Sequence, residues 1–156
     1  MQDRIEKRIL LRAPRERVWR AVSDKTEYGA WFRVKFTPGT FTPGEHVKGQ
    51  ILEPGYEHLT FEIWVVDVIP ETTLSFRWHP YGIDPNYDYS SEPTTLVTFT
   101  LEDADGGTAD GGTWLTIVES GFNEIPLHRR DEAFRMNERG WEEQTKRIER
   151  YVTAQR

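Results

Sequence analysis

The sequence predicts an α+β fold in which an antiparallel sheet packs against one long helix. Two observations predict it. Between residues 45 and 119, runs of β-forming residues are separated by short turns, and strands joined in this way pair antiparallel. From Pro126 to Val152, apolar residues then recur at helical spacing. We expect this amphipathic helix to cover one face of the sheet.

The chain opens with a strand and two short helices. Alternation from Ile5 to Leu11 predicts the first strand. Pro14 suits the first position of a helix, and the apolar spacing after it predicts a helix that runs to about Ser23. Ser23 or Asp24 can cap a second helix, which runs through Glu27 to Phe32.

Further strands follow a connection that contains two Pro-Gly pairs. With the first strand they make a sheet of about six strands. One of them has two competing apolar faces, which a bulge would reconcile. The predicted strands are about Glu45 to Glu53, Glu57 to Val68 (the ambiguous one), Thr72 to Trp78, Leu96 to Leu101 and Thr113 to Glu119.

Two irregular segments interrupt the second half of the chain. His79 to Pro93 is rich in tyrosine, proline and acidic residues, and we expect a flexible aromatic loop there. Between Ala104 and Thr113, the sequence Ala-Asp-Gly-Gly-Thr occurs twice in succession. We expect the second copy to lengthen a surface hairpin. The doubled segment lacks the lysine of a phosphate-binding loop, and its carboxylates repel phosphate.

Composition limits the classes of function. A chain of 156 residues suits one domain, which we place at residues 1–156. The net charge of −6 argues against nucleic acid as a partner. Without cysteine, disulfides and thiolate chemistry are excluded. No stretch approaches the roughly 20 apolar residues of a membrane span, so we expect a soluble, cytoplasmic protein without membrane insertion.

Several motifs occur along the chain in a characteristic order. They are Ala13-Pro14-Arg15-Glu16-Arg17-Val18-Trp19, Trp31-Phe32, the runs from Leu74 to Trp78 and from Thr95 to Leu101, Gly112-Thr113, Ser120-Gly121-Phe122, and Gly140-Trp141. Together with the element order, they resemble the START-like (SRPBCC, helix-grip) superfamily, and within it the homologues of the heat-shock protein 90 ATPase activator. The resemblance covers nearly the whole chain. It implies a helix-grip fold, in which a curved sheet wraps the C-terminal helix.

The resemblance implies a shared fold, but it does not imply any single activity. The superfamily includes lipid carriers, aromatic polyketide cyclases and co-chaperones. The eukaryotic activator carries an additional N-terminal domain, for which 156 residues leave no room. We therefore do not expect ATPase activation from this chain.

Aromatic residues are the candidates for a ligand site. They make up 13% of the chain, and large rings either fill a small core or line a cavity. Both alternatives stay open from the pattern alone, and the resemblance favours a pocket. Side-chain parity on the strands, and closure by the helices, give the predicted ligand-binding residues: Trp31, Phe32, Trp64, Phe76, Trp78, His79, Phe99, Phe134 and Trp141.

Catalytic and metal sites have little support in the sequence. Of the histidines, His79 is the one with a place beside the predicted pocket, where it could orient a ligand or act as an acid or base. Glu62 and Glu138 are candidate buried carboxylates, although solvated faces suit them better. The grouping of His79, Asp84 and Asp88 matches no metal-ligand spacing. We predict no catalytic residue, metal or cofactor.

The leading hypothesis is a binding or carrier domain for a hydrophobic or aromatic small molecule. One alternative is a cyclase- or dehydratase-like enzyme that acts in the same cavity, which would need polar groups inside it. The other is a co-chaperone-like domain with a protein partner, which would need an exposed apolar patch. The sequence leaves the ligand and the oligomeric state open.

Overall fold

A single antiparallel sheet organises the computed structural model, which describes residues 3–104 and 112–154. Within these residues the sheet has seven strands in the order β1-β7-β6-β5-β4-β3-β2. The first and last strands along the chain, β1 and β7, are therefore neighbours in the sheet. The strands are β1 (Arg4–Leu11), β2 (Val34–Lys35), β3 (His46–Ile51), β4 (Thr60–Ile69), β5 (Thr73–Trp78), β6 (Thr95–Asp103) and β7 (Thr113–Ser120).

Two short helices follow β1, and a long helix ends the described chain. They are α1 (Arg15–Ser23), α2 (Lys25–Phe32) and α3 (Leu127–Ala154). Asp24 caps α2, because its carboxylate accepts a hydrogen bond from the Glu27 amide at 3.0 Å. Gly29 lets α2 approach β2 closely: a Cβ there would lie 2.1 Å from the Val34 carbonyl oxygen.

This architecture confirms the predicted helix-grip fold. The sequence predicts about six strands, and the structure adds the two-residue strand β2, which pairs with Gln50 and Ile51 of β3. Two residues are too few to show an alternating pattern, so no sequence signal marks this strand. The long helix begins one residue later than predicted, at Leu127, and ends two residues later, at Ala154.

The ambiguous strand β4 contains a bulge. Its pairing with β5 shifts register between Val65 and Val68. Before the bulge, Phe61, Ile63 and Val65 are buried on the core face. After it, Val68 pairs with Leu74 and also packs against the core. The bulge therefore brings Val68 to the core face after Val65, which the alternation of a regular strand does not allow, whereas Val66 is exposed.

Aromatic rings fill the centre of the molecule. Tyr28 of α2 is fully buried, with its ring centroid 5.1 Å from that of Phe32 and 6.1 Å from that of Phe99. Phe76 and Phe99 are also fully buried and pack against each other at 6.2 Å. This part of the space between sheet and helices is a solid core.

The predicted hairpin of the doubled Ala-Asp-Gly-Gly-Thr segment falls on residues 105–111, which lie outside the described residues. Among the residues that are described, no helix is both long and apolar enough to cross a membrane.

Candidate ligand-binding cleft

A cleft of about 310 Å³ opens where α2 and α3 meet the sheet. The start of β4 and the end of β5 form its floor, and the loop after β5 forms one side. Its walls are largely apolar and aromatic, with a few polar side chains among them. They include Phe32, Leu59, Phe61, Glu62, Trp78, His79, Tyr81, Ile83, Tyr89 and Asn137.

A smaller cavity of about 70 Å³ adjoins the cleft. The two share Phe32, Trp78 and Asn137, and the smaller one is also lined by Trp141 and Gly140 of α3. The rings of Trp78 and Trp141 stack with centroids 5.7 Å apart, and Phe32 meets Trp141 edge-on at 6.1 Å. The aromatic wall is therefore continuous from the cleft into the smaller cavity.

A buried carboxylate lies behind this wall. Glu119, near the end of β7, has no exposed surface. Its Oε1 accepts hydrogen bonds from the Trp141 indole N–H at 2.8 Å and the Asn137 amide at 2.9 Å. Its Oε2 accepts bonds from the Trp78 indole N–H at 2.8 Å, the Thr95 hydroxyl at 2.6 Å and the Asn137 amide at 3.0 Å. Glu119 thus joins three strands to α3.

The partners of Glu119 suit its ionised form. Burial raises the pKa of the Glu119 carboxyl, while the hydrogen bonds from Thr95, Trp78 and the other donors oppose that rise. Indole and amide N–H groups can only donate, so Trp78, Trp141 and Asn137 all require an acceptor. A carboxylate satisfies every one of these bonds, and its charge is balanced by neutral dipoles alone.

An ion pair holds the loop after β5 against α3. The Arg129 guanidinium bonds to Glu92, with Nη2 2.8 Å from Oε1, and their side chains are only 11% and 5% exposed. Arg129 Nη1 also donates to the backbone carbonyls of Pro80 at 3.0 Å and Tyr81 at 3.3 Å. The Tyr87 hydroxyl donates to Glu92 Oε2 at 2.5 Å. This side of the cleft is therefore fixed by buried polar contacts.

His79 lies at the edge of the cleft. Its ring meets Trp64 edge-on at 5.6 Å, and its Nδ1 is buried without a hydrogen-bond partner among the described residues. Burial lowers the pKa of His79, although the nearby carboxylates of Glu92 and Glu62 oppose this effect. The imidazole is therefore biased towards its neutral form.

The structure brings some of the predicted ligand-binding residues together and separates others. Phe32, Trp78 and His79 line the cleft, and Trp141 lines the adjoining cavity. Trp31, Phe76 and Phe99 belong to the buried core behind them.

Two of the predicted residues lie away from both cavities. Trp64 stacks on His46 at 4.9 Å on the opposite face of the sheet from Phe61 and Ile63, because the bulge in β4 comes after it. Phe134 packs on Phe122 at 5.1 Å, on a different part of α3. Neither side chain lines the cleft or its neighbour.

The carboxylates singled out in the sequence are not the buried one. Glu62 is partly exposed and lies 2.5 Å from His46, and Glu138 is exposed. The sequence does contain a signal for Glu119: it follows Leu115 and Ile117 at the spacing of two residues that places side chains on one face of a strand. Asn137 has a comparable signal, because it lies three residues after Phe134 and four before Trp141, the spacing of one helix face.

Metal binding receives no support from the described residues. Within 3–104 and 112–154, no three histidine or acidic side chains are grouped closely enough to hold an ion. The polar groups near the cleft are instead hydrogen-bond donors and acceptors suited to an organic ligand.

Comparison with known families gives one extensive match. The family described as "Activator of Hsp90 ATPase homolog 1-like protein" matches residues 12–153, which is most of the chain. No curated protein matches the chain at a significant level.

Solved structures share the fold at low sequence identity. DynU16, a protein in the dynemicin biosynthetic locus, is 24% identical with a TM-score of 0.71, covering 98% of this chain and 48% of DynU16. This chain therefore spans about half the length of DynU16. Protein MLL2253 from Mesorhizobium loti is 22% identical with a TM-score of 0.71, covering 97% of each chain. The Aha1 dimer from Colwellia psychrerythraea is 17% identical with a TM-score of 0.68, covering 97% of this chain and 96% of that one.

Proposed function

The chain belongs to the Activator of Hsp90 ATPase homolog 1-like family, and from its cleft we propose that it is a binding or carrier domain for a ring-containing small molecule. The observation that carries this proposal is the aromatic wall formed by Phe32, Phe61 and Trp78 around an open volume of about 310 Å³. Such a volume is at the lower end of the ligand sites known in proteins, roughly 300–1,000 Å³, so a compound of one to three rings suits it.

The surroundings of the cleft support the proposal that a ligand occupies it and that the protein's own side chains do not fill it. The core is already packed behind Phe76 and Phe99, whereas the cleft is bounded on one side by the loop that Arg129 holds in place. Rings that face the cleft present flat apolar surface, against which an aromatic ligand gains area burial and offset stacking.

The same site bears on the enzyme alternative. Glu119 is the carboxyl group to consider for an acid or base role, because it is buried behind the aromatic wall and burial shifts its pKa upward. However, both of its oxygens are occupied by hydrogen bonds from the protein, and Trp78 and Trp141 lie around it. A ligand would have to displace these donors before it could exchange a proton with Glu119. We therefore favour binding over catalysis.

Substitution of Phe32 tests the proposal. The probe is N-phenyl-1-naphthylamine, an uncharged ring compound whose fluorescence rises in apolar sites. We expect wild-type protein to bind it, and Phe32→Ala to weaken binding at least tenfold, because this ring borders both cavities.

Phe134→Ala is the matched control, since Phe134 is also a partly buried helical phenylalanine but packs on Phe122. We expect it to leave the affinity within about twofold of wild type. Circular dichroism establishes that both variants are folded. An equal loss in the two variants, or no binding by the wild type, would contradict the proposed function.

A further inference from the structure

The described residues that line the cleft include an acidic side chain but no basic one apart from histidine. Of the described residues that line the cleft or the adjoining cavity, none is lysine or arginine, and the one acidic residue is Glu62. Glu62 lies at the edge and is paired with His46. His79, the histidine among the described lining residues, is biased towards the neutral imidazole by its burial.

Glu119, whose indole and amide donors suit its ionised form, places a second negative charge behind the aromatic wall. It is bonded to Trp78, Trp141 and Asn137, each of which also lines one or both cavities. Its described hydrogen-bond partners are all neutral, so no cation is bonded to this carboxylate. In the low dielectric of a protein interior, a charge separated from a ligand by one layer of side chains interacts with it far more strongly than in water.

One cation in contact with the lining, Arg129, is already occupied by an ion pair. Arg129 lies 4.7 Å from the ring centroid of Tyr89, which is a lining residue. Its guanidinium donates to Glu92 and to the carbonyls of Pro80 and Tyr81. Binding an anion through Arg129 would require breaking a buried ion pair, which is strongly unfavourable.

The faces of the aromatic rings, like the carboxylates, make the electrostatic potential in the cleft more negative. The face of an indole or phenyl ring carries negative electrostatic potential and attracts cations. Phe32, Phe61 and Trp78 therefore reinforce the sign that Glu119 and Glu62 set. An anionic group that entered this cleft would lose its hydration without gaining a charged partner.

We propose that the cleft selects uncharged or cationic ring compounds and excludes those that carry a carboxylate, phosphate or sulfonate, with Glu119 as the residue that determines this selectivity. This inference rests on the proposed binding function. It narrows the ligand class from any aromatic molecule to neutral aromatics and aromatic amines.

Three naphthalene probes of nearly equal size test the proposal. They are 2-naphthylmethanol, 2-naphthoate and 2-naphthylmethylamine, which are neutral, anionic and cationic at pH 7.5. Dissociation constants are measured by competition against N-phenyl-1-naphthylamine with wild-type protein. We expect the naphthoate to bind at least tenfold more weakly than the alcohol, and the amine to bind at least as tightly as the alcohol.

Charge-removing variants assign the effect. In Glu119→Gln, we expect the ratio between alcohol and naphthoate affinities to narrow at least threefold. Glu138→Gln is the matched control, because it removes the same charge from an exposed position next to Asn137, and we expect no change in the ratio. If Glu119→Gln fails to fold, two other results test the proposal. They are the order of the three affinities in wild-type protein and the ratio between alcohol and naphthoate affinities in Glu62→Gln, which we expect to narrow by less than threefold.

The outcomes separate this inference from the proposed function. If the dissociation constants of the three probes lie within threefold of one another, the cleft binds ring compounds but the proposed charge selectivity is wrong. If the ratio is tenfold but unchanged in both Glu119→Gln and Glu62→Gln, the assignment to these carboxylates is wrong. If neither the probes nor N-phenyl-1-naphthylamine binds, the proposed function fails and the inference fails with it.

Discussion

Glu119 occupies a strand position at which the alternating pattern of β7 would otherwise place an apolar side chain. A buried carboxylate is costly unless every lone pair that faces the protein finds a donor. Here two indoles, an amide and a hydroxyl provide those donors. The residue therefore fixes the orientation of Trp78 and Trp141, and with it the shape of the aromatic wall.

We predict that Glu119→Ala destabilises the fold by about 3 kcal/mol or more, because it leaves several buried donors unpaired at once. Urea denaturation followed by circular dichroism measures the change. Glu138→Ala, at an exposed site on α3, should lie within about 0.5 kcal/mol of wild type. A cost below about 1 kcal/mol for Glu119→Ala would mean that water replaces the lost carboxylate.

His79 makes the stability depend on pH. Its pKa is lowered in the folded state by burial, so the unfolded chain binds the proton more readily. The stability that His79 contributes is therefore present above the unfolded pKa of about 6.5 and is lost as the pH falls through the folded value.

We predict that His79→Gln loses less stability than wild type when the pH is lowered from 7.5 to 5.5. The free energy of unfolding at each pH, from urea titrations, gives the comparison. The exposed His58→Gln serves as the control and should follow the wild-type curve. If the curves of wild type and His79→Gln are parallel, His79 is not shielded as described.

At the scale of elements, the loop between β5 and β6 depends on one ion pair. The Glu92–Arg129 contact is largely shielded from water, unlike the exposed pair of Asp131 and Arg135 on the same helix. Exposed pairs of that kind contribute about 0–1 kcal/mol, whereas removing one partner of a buried pair costs about 3–5 kcal/mol.

We predict that Glu92→Gln increases amide hydrogen exchange in the loop of residues 79–94, while exchange in β6 and β7 stays at the wild-type level. Hydrogen exchange with mass spectrometry resolves these segments. Asp131→Asn should leave the loop protected. Increased exchange across the whole sheet would indicate that the pair stabilises the entire fold and not the loop alone.

The elements differ in how well the sequence predicts them. Strands β5 to β7 and helix α3 follow clear periodicities, and their predicted bounds agree with the structure to within a few residues. Strand β2 is too short to show a pattern. The faces of β4 could not be assigned because a bulge changes the parity within the strand, and only its pairing with β5 locates the shift.

For the molecule as a whole, we propose that the chain forms one domain. The sheet is continuous from β1 to β2, and the core includes residues from the first strand and the last helix, such as Ile5 and Val152. We predict coincident urea transitions by tryptophan fluorescence and by far-ultraviolet circular dichroism, as for a two-state domain. Two separate transitions would show that part of the chain unfolds independently.

The site was less predictable than the fold, because it depends on which aromatic side chains border a cavity and which pack in the core. Parity correctly placed Phe76 and Phe99 inside, but it does not distinguish a ring in the core from one that borders a cavity. That distinction depends on helix packing and on the loop that Arg129 anchors to α3. Phe134 illustrates the limit: it lies on the apolar stripe of α3 but contacts Phe122.

The central claim is that ring compounds bind in the cleft beside Trp78, whose indole stacks on that of Trp141. The most direct measurement is a ¹H–¹⁵N spectrum of the protein's 6 tryptophan indoles during titration with 2-naphthylmethanol. We predict progressive shifts of the Trp78 and Trp141 indole signals, whose N–H groups bond to Glu119, and little change for Trp114, which lies under Arg8. Unchanged Trp78 and Trp141 signals at millimolar ligand, or equal shifts at Trp114, would contradict the claim.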